Sequence, residues 1–395
     1  MVRAPNIQRA IRNQPRTYRR ALPEGVRLIR LTMPSIEEDD LRAVREVLLS
    51  GLLVQGARVE TFERAVARYV GVDHAVAVSN CTAALHLALL ALGVGRGDRV
   101  AVAAYSWPAT ANVIVLVGAE PVFVDIEPDT FNMSPLALKE VLGRTAVRAV
   151  MPVHTFGGPA DMPRILEIAG RFGVPVIEDA ACALGTELNG RKAGTWGVIG
   201  CFSFHPRKAI TTGEGGMVVT NDPKLGRKLR ILRNHGLDPA ATFPDFIEAG
   251  YNLRLTEFQA ALGTCQLNKL GRIISKRRVD AARYDGLLKD TRVNPPVALR
   301  DSRHVYQSYV SLLPAEVAPR RSKMIAELKS QGIETSIGTY HLPLTTFYRA
   351  RGGYRAGDFP VTDDIAPRAI SLPISEALTR EEQDEVIFML SRQIE

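Results

Sequence analysis

Seven short apolar runs alternate with amphipathic stretches over the first two thirds of the chain, near residues 75, 100, 121, 149, 175, 200 and 217. Runs this short, apolar on both parities and separated by helical patterns, predict the strands of a mainly parallel sheet covered by helices on both faces. The helices between them carry start and stop signals. Ser35 can cap a helix running to about Ser50, with Glu37, Glu38, Asp39 and Asp40 at its positive end and Gly51 as its stop. A second helix spans about 59–70 and stops at Gly71. Others are predicted over 83–92, from about Ala109, over 162–172, and over 256–270 with a continuation through Lys276, Arg277 and Arg278 that reads as a linking helix.

After about residue 305 the pattern changes to a strand (305–313), a helix (320–330), a strand (333–337), a polar loop (340–359) and a last helix (379–393) opened by a Thr379/Glu382 capping box. The organisation predicted is a basic N-terminal extension (1–33), a large α/β domain (34–270) and a smaller C-terminal α+β domain (271–395).

Charge adds a tail to this picture. The chain has 395 residues and a formal net charge of +8, of which six charges come from Arg3, Arg9, Arg12, Arg16, Arg19 and Arg20. These lie in a stretch without an acid or a lysine, so the basic character belongs to the tail, read as a solvated extension; a tail for anionic partners and a targeting segment are the alternatives. Tyr18 is its one aromatic residue, which is not the pattern of nucleic-acid binding, and no nucleic-acid partner is expected. No apolar run approaches the roughly 18 residues of a membrane span, and no secretory leader is predicted. Cys81, Cys182, Cys201 and Cys265 are scattered without a C-x-x-C pair, so neither a metal site nor a disulfide framework is expected, as suits a reducing cytoplasm.

The candidate chemistry centres on residues 200–222, GCFSFHPRKAITTGEGGMVVTND. Two apolar runs flank a loop that carries Lys208, and upstream a buried-looking strand ends at Glu178 and Asp179. A strand-end carboxylate and a loop lysine are what pyridoxal phosphate (PLP) needs: an amine for a Schiff base and an anion that keeps the ring nitrogen protonated. A second feature is the strand, small-residue turn and helix around Ser79, Asn80, Cys81, Thr82 and Ala83. Free N–H groups at the helix start make an anion site there, to which the cofactor phosphate is assigned; from these residues alone an ordinary βα turn reads the same.

These motifs, in this order, resemble the DegT/DnrJ/EryC1/StrS family of sugar aminotransferases, and the resemblance runs from about Pro34 to the C-terminus. It implies a PLP-dependent enzyme of fold type I with Lys208 and Asp179 as catalytic residues. It places Cys81, Thr82, Ala83 and Ser203 on the phosphate and Trp107 on the ring face. Cys182 stands where the family usually has a glutamine that contacts the ring hydroxyl, and Cys81 where it usually has a glycine. Ala103 and Pro108 also depart from the family's usual residues beside Trp107. Asn252 matches an asparagine that reaches the neighbouring subunit's phosphate, which implies a homodimer with shared active sites. His154 either lines the pocket or bonds to a neighbouring loop, and His341, Tyr348 and Tyr354 are substrate-pocket candidates.

The activity implied is amino transfer from glutamate to a nucleotide-linked 4-keto-6-deoxyhexose or 3-keto sugar, with a desolvated, low-pKa Lys208 amine moving the proton. A keto-cyclitol or keto-octulosonate acceptor is the alternative. Dehydratase relatives carry histidine in place of the lysine, and a non-catalytic regulator would not need the full set of Lys208, Asp179 and phosphate-site residues.

Overall fold

The computed structural model of the chain describes residues 28–394, and the arginine-rich stretch through Arg20 lies outside them. Each of the seven apolar runs forms a strand: β1 (His74–Val78), β2 (Arg99–Ala103), β3 (Glu120–Val124), β4 (Ala149–Met151), β5 (Ile177–Asp179), β6 (Ile199–Ser203) and β7 (Gly216–Thr220). They pair as β1-β7-β6-β5 and β3-β2-β4. Parallel bridges Val150–Val176 and Val153–Asp179 join the two groups into one seven-stranded sheet. Only β7 runs antiparallel to its neighbours. The expected mainly parallel sheet is therefore present.

Alternation along the strands feeds two faces. Val76, Val78, Val100 and Val102 point to one core with α3 (Cys81–Ala91), α4 (Pro108–Leu116) and α7 (Pro223–Arg233). Ala75 and Ala77 face α2 (Ala57–Val70) and α8 (Glu257–Leu288), while Ala101 and Ala103 face α5 (Pro135–Arg144) and α6 (Met162–Arg171). Cap-then-proline signals start two of these helices: Ser134 caps α5 before Pro135, and Asp222 caps α7 before Pro223.

One cap differs from the sequence reading. The helix α1 (Glu38–Ser50) starts on Glu37, which exchanges capping bonds with Asp40, while the Ser35 hydroxyl bonds Glu37 Oε1 at 3.2 Å. Lys269, buried on α8, reaches Asp39 and Asp40 from the other side and anchors this acidic turn to the long helix.

The helix α8 runs unbroken for 32 residues past position 270. Its Arg277 is buried and donates to the Tyr306 and Gln307 carbonyls, so the basic run is a structural seam. Beyond it, β8 (Tyr309–Leu312), β9 (Ser336–Ile337) and β10 (Ala369–Leu372) form an antiparallel sheet in the order β8-β10-β9. It packs with α9 (Arg321–Ser330), α10 (Thr346–Gly352), α11 (Pro360–Arg368) and α12 (Arg380–Ser391), the last opened by the expected Thr379/Glu382 capping box. Two features of this part were not read from the sequence. Ile29 pairs with Ile333, and Leu31 accepts from the Ile374 N–H, so the end of the expected extension is woven into the smaller sheet. Within the expected loop, Tyr340–His341 pairs with Tyr105–Ser106 of the large part, and α10 follows.

Candidate active site

The carboxyl ends of β1, β2, β5 and β6 deliver the candidate residues to one edge of the sheet, where open α/β folds bind ligands. Asp179 is the last residue of β5 and Ser203 the last of β6, while Cys81 opens α3 just after β1 and Trp107 precedes α4 after β2. Lys208, Cys81, Cys182 and Asp179 are close enough that each of the other three alters the charge balance of Lys208.

Strand alternation separates the two adjacent acids. Glu178 is fully buried and turns away from the site, accepting from the Gly194 and Gly197 N–H groups at 2.7 and 2.6 Å and pairing with His154 Nε2 at 2.8 Å. Asp179 faces the site. Its Oδ2 accepts from the Thr110 hydroxyl at 2.7 Å and its Oδ1 from the Ala181 N–H at 3.1 Å. Thr110 has spent its one proton there, so the Ser106 hydroxyl, 2.8 Å away, donates to Thr110. Burial raises the pKa of Asp179 from its ordinary value, against the Thr110 and Ala181 hydrogen bonds and the positive charge of Lys208.

Lys208 sits in a loop stapled at several points. Its own N–H donates to the His205 carbonyl at 2.8 Å, Thr212 N–H to Phe204 at 3.0 Å, and the Gln307 amide holds the Arg207 carbonyl. Gly215 is required here, since a Cβ at that position would lie 2.1 Å from Thr212 Oγ1. The Lys208 Nζ lies 3.0 Å from Cys182 Sγ. Burial pushes its pKa down, but Cys182, Cys81 and Asp179 together outweigh burial and hold it above the ordinary lysine value. The expected depression is thus absent in this chain: desolvation is present, and the neighbouring thiols and the Asp179 carboxylate reverse its effect.

At the other end, Asn80 caps α3 by accepting from the Ala83 N–H at 2.8 Å. That bond occupies one of the three amides assigned to phosphate and leaves those of Cys81 and Thr82. Gly216 of β7 lets this turn close down on the sheet, because a Cβ there would stand 2.5 Å from the Asn80 backbone. Trp107 is 60% exposed, its indole edge-on to Tyr340 at 5.6 Å between centroids. Asn252 is exposed, in a segment whose Leu253 carbonyl accepts from the Ser79 N–H at 2.9 Å.

The remaining candidates divide. His154 is fully buried, held by Glu178 and by the Ala160 N–H at 3.1 Å, so it supports the wall behind Asp179 and does not line a pocket. Tyr348 is also buried, its hydroxyl donating to Asn112 at 2.7 Å and its ring against Phe123, and Tyr354 packs on the same ring. Tyr348 turns inward because α10 carries it onto the large part, and Tyr354 follows just past the end of that helix. His341 pairs with Asp363 at 2.9 Å on the edge of an open groove of about 750 Å³ that Thr339, Tyr340 and Arg321 also line. Thr110 and Gln307 went unread, since their partners lie 69 and 100 positions away and no local pattern marks either.

The donor set fits PLP. An amine faces the site, a buried carboxylate is available for a ring nitrogen, and a helix start packed against a glycine that a Cβ would overfill leaves two amides for the phosphate.

The model of the DegT/DnrJ/EryC1/StrS aminotransferase family matches residues 34–391. Spore coat polysaccharide biosynthesis protein SpsC of Bacillus subtilis is 37% identical over 369 residues, 90% of this chain and 94% of that protein. Among solved structures, Helicobacter pylori PseC, an aminotransferase involved in the biosynthesis of pseudoaminic acid, superposes with a TM-score of 0.88 at 28% identity over 93% of this chain and 99% of that one. The PLP form of Spr1654 from Streptococcus pneumoniae gives 0.87 at 27% identity over 93% and 98%. Among the described residues no helix is long and apolar enough to cross a membrane.

Proposed function

The chain belongs to the DegT/DnrJ/EryC1/StrS aminotransferase family, and from that premise we propose that it transfers an amino group from glutamate to a nucleotide-linked keto-deoxy sugar, a 4-keto-6-deoxyhexose or a 3-keto sugar. Bound PLP supplies the electron sink for the pair left when the donor loses its α-proton. The chain supplies the rest. The Lys208 amine holds the cofactor and, once freed, its Nζ moves the proton. The Asp179 carboxylate, oriented by Thr110 and Ala181, holds the proton on the ring nitrogen. The Cys81 and Thr82 amides and the Ser203 hydroxyl take the phosphate, and the exposed Trp107 indole covers the ring.

The observation that carries this reading is the meeting of Lys208 and Asp179 at one sheet edge, with Lys208 Nζ turned in to within 3.0 Å of Cys182. The groove beside Tyr340 and His341 begins at the ring partner of Trp107, which supports a large acceptor seated next to the cofactor. SpsC and PseC, each named for the making of a carbohydrate, support a sugar. A second copy of the chain completes the site through Asn252. Exposed Leu48, Leu49, Leu52 and Val54 support that interface, because Leu53 beside them accepts from the Glu257 N–H just after the Asn252 segment. Cytoplasmic placement accords with four unpaired cysteines.

The test is the absorption spectrum of wild type and Lys208→Ala before and after glutamate. Wild type is expected to be yellow and to bleach with glutamate, and the variant to do neither. A keto-sugar nucleotide should then restore the colour. A wild type that stays colourless after incubation with PLP overturns the reading, and restoration by a keto-cyclitol alone replaces the acceptor.

A further inference from the structure

The four cysteines of this chain have different surroundings, and only one touches a cation. Cys81 and Cys201 are buried, and burial pushes both thiols well above the usual range, with Asp179 adding to it. Cys265 bonds the Asp39 carbonyl on an acidic helix start, where burial and the Asp39 and Asp40 charges again raise it. Cys182 is partly exposed and has the Lys208 ammonium 3.0 Å from its sulfur. The thiolate is the form of cysteine that reacts, and the ammonium at this distance can supply the proton that peroxide's departing hydroxide needs.

We propose that Cys182 and Lys208 form an oxidative modification site, at which hydrogen peroxide links Sγ to Nζ in a reversible sulfenamide. In the first step the Cys182 thiolate attacks one peroxide oxygen and the O–O bond breaks. The departing hydroxide takes a proton from the Lys208 ammonium, leaving a sulfenic acid, a free amine and water. In the second step the amine attacks the sulfenyl sulfur, the S–O bond breaks, and the second water leaves with the amine's proton. Sulfur is oxidised and peroxide reduced; thiolate, ammonium and one peroxide become one S–N bond and two waters. Two equivalents of a thiol reverse it, giving back thiol and amine and forming one disulfide.

The partner of the sulfenic acid is already in place, because the contact is shorter than a lysine side chain's own reach and the loop holding Lys208 is pinned by His205 and Gln307. The linkage consumes the amine that, on the function proposed above, carries the cofactor, and that consequence rests on that reading. Cofactor bound to Lys208 protects the pair, so the site senses peroxide in the cofactor-free enzyme and blocks its loading.

The experiment uses the full chain, stripped of cofactor or loaded with PLP, with intact mass and peptide mapping after hydrogen peroxide. Stripped wild type should become lighter by two hydrogens, with the peptides of Cys182 and Lys208 joined, and dithiothreitol should restore the starting mass. Cys182→Ser and Cys182→Ala should show no such loss. Addition of oxygen at Cys182 without the joined peptide overturns the proposal, as does a mass loss that survives both substitutions. If the joined peptide forms equally in the presence of PLP, the linkage stands and the assignment of Lys208 as cofactor lysine fails.

Discussion

The Thr110 hydroxyl donates to Asp179 Oδ2 at 2.7 Å, and Ser106 in turn donates to Thr110 at 2.8 Å, so a helix and a strand end 69 residues apart in sequence share one polar chain. This bond opposes the upward push that burial exerts on Asp179. Removing it with Thr110→Val should raise the Asp179 pKa further. The ionised carboxylate is the form that serves a ring nitrogen, so the acid limb of the kcat profile should move to higher pH. A hydrogen bond to a charged group contributes about 1.5–3 kcal/mol, so the limb should move by about 1–2 pH units. An unchanged acid limb would show that Asp179 does not depend on Thr110.

Cys182 is one of the groups that keep Lys208 protonated. An amine must lose its proton before it can capture a carbonyl, so the thiol slows uptake of PLP at neutral pH. Cys182→Ala should lower the Lys208 pKa and speed PLP uptake by stripped enzyme, with the gain fading as pH approaches the lysine value. A rise in absorbance followed across pH measures this, and equal rates at neutral pH would count against the charge argument.

Gly216 faces the turn that begins α3, where an added Cβ would approach the Asn80 carbonyl carbon and the Cys81 nitrogen to 2.5 and 2.8 Å. These are backbone atoms and cannot swing aside. Gly216→Ala should push apart β7 and the helix start that offers the Cys81 and Thr82 amides, weakening PLP binding by tenfold or more on the scale of about 1.4 kcal/mol per decade. Equilibrium dialysis with PLP would test it; native affinity in the variant would remove the phosphate from this turn.

The sheet was legible in the sequence because strands buried on both faces must be apolar at every position, and Val76, Ala77 and Val78 or Val100, Ala101 and Val102 leave no other reading. Lys208 and Asp179 were legible because each stands next to such a strand, so locating the strand also locates the residue. Tyr348 was not, and for His154 the sequence left a pocket and a loop contact both open, of which the loop contact holds. Whether a histidine or a tyrosine points to solvent or inward is decided by a distant partner, Glu178 in one case and Asn112 in the other, and the local pattern carries no trace of either. The charge state of Lys208 was misjudged for the same reason: desolvation is visible in an apolar sequence context, whereas the thiols of Cys81 and Cys182 reach it only through the fold.

Arg233 on α7 is buried and donates to Glu63 of α2 and, at 2.8 Å, to the Ala77 carbonyl of β1, while Glu63 also accepts the Ala77 N–H at 2.8 Å. The pair ties two helices to the edge of the sheet beside the phosphate turn. Arg233→Met should leave the buried Glu63 without its counter-charge and cost about 3–5 kcal/mol of stability. Replacing both, as Glu63→Gln with Arg233→Met, should recover part of that loss. Chemical denaturation of the three proteins measures it, and a double variant no better than the single one would place the cost in packing.

His304 lies in the segment that leads to Gln307, the residue holding the Lys208 loop. Its ring stacks on Tyr306 at 4.1 Å and its Nδ1 accepts the Tyr306 N–H at 2.8 Å. Burial, with the charge of Arg278 beside it, lowers its pKa from 6.5 to about 3. The folded chain therefore keeps His304 neutral where the unfolded chain protonates it. Between those two values the unfolded state binds the extra proton, so stability falls as pH drops below about 6.5 and stops falling near 3. The slope from this one group is at most about 1.4 kcal/mol per pH unit. His304→Gln keeps a side-chain acceptor and cannot take up the proton, so its melting temperature should vary less over that range than that of wild type. If acid loosens this segment first, PLP should leave wild type at a higher pH than the variant, because the Gln307 bond to Arg207 is one of the staples of the lysine loop. Parallel acid profiles for the two proteins, in melting and in cofactor release, would show that His304 is not the group that acid reaches.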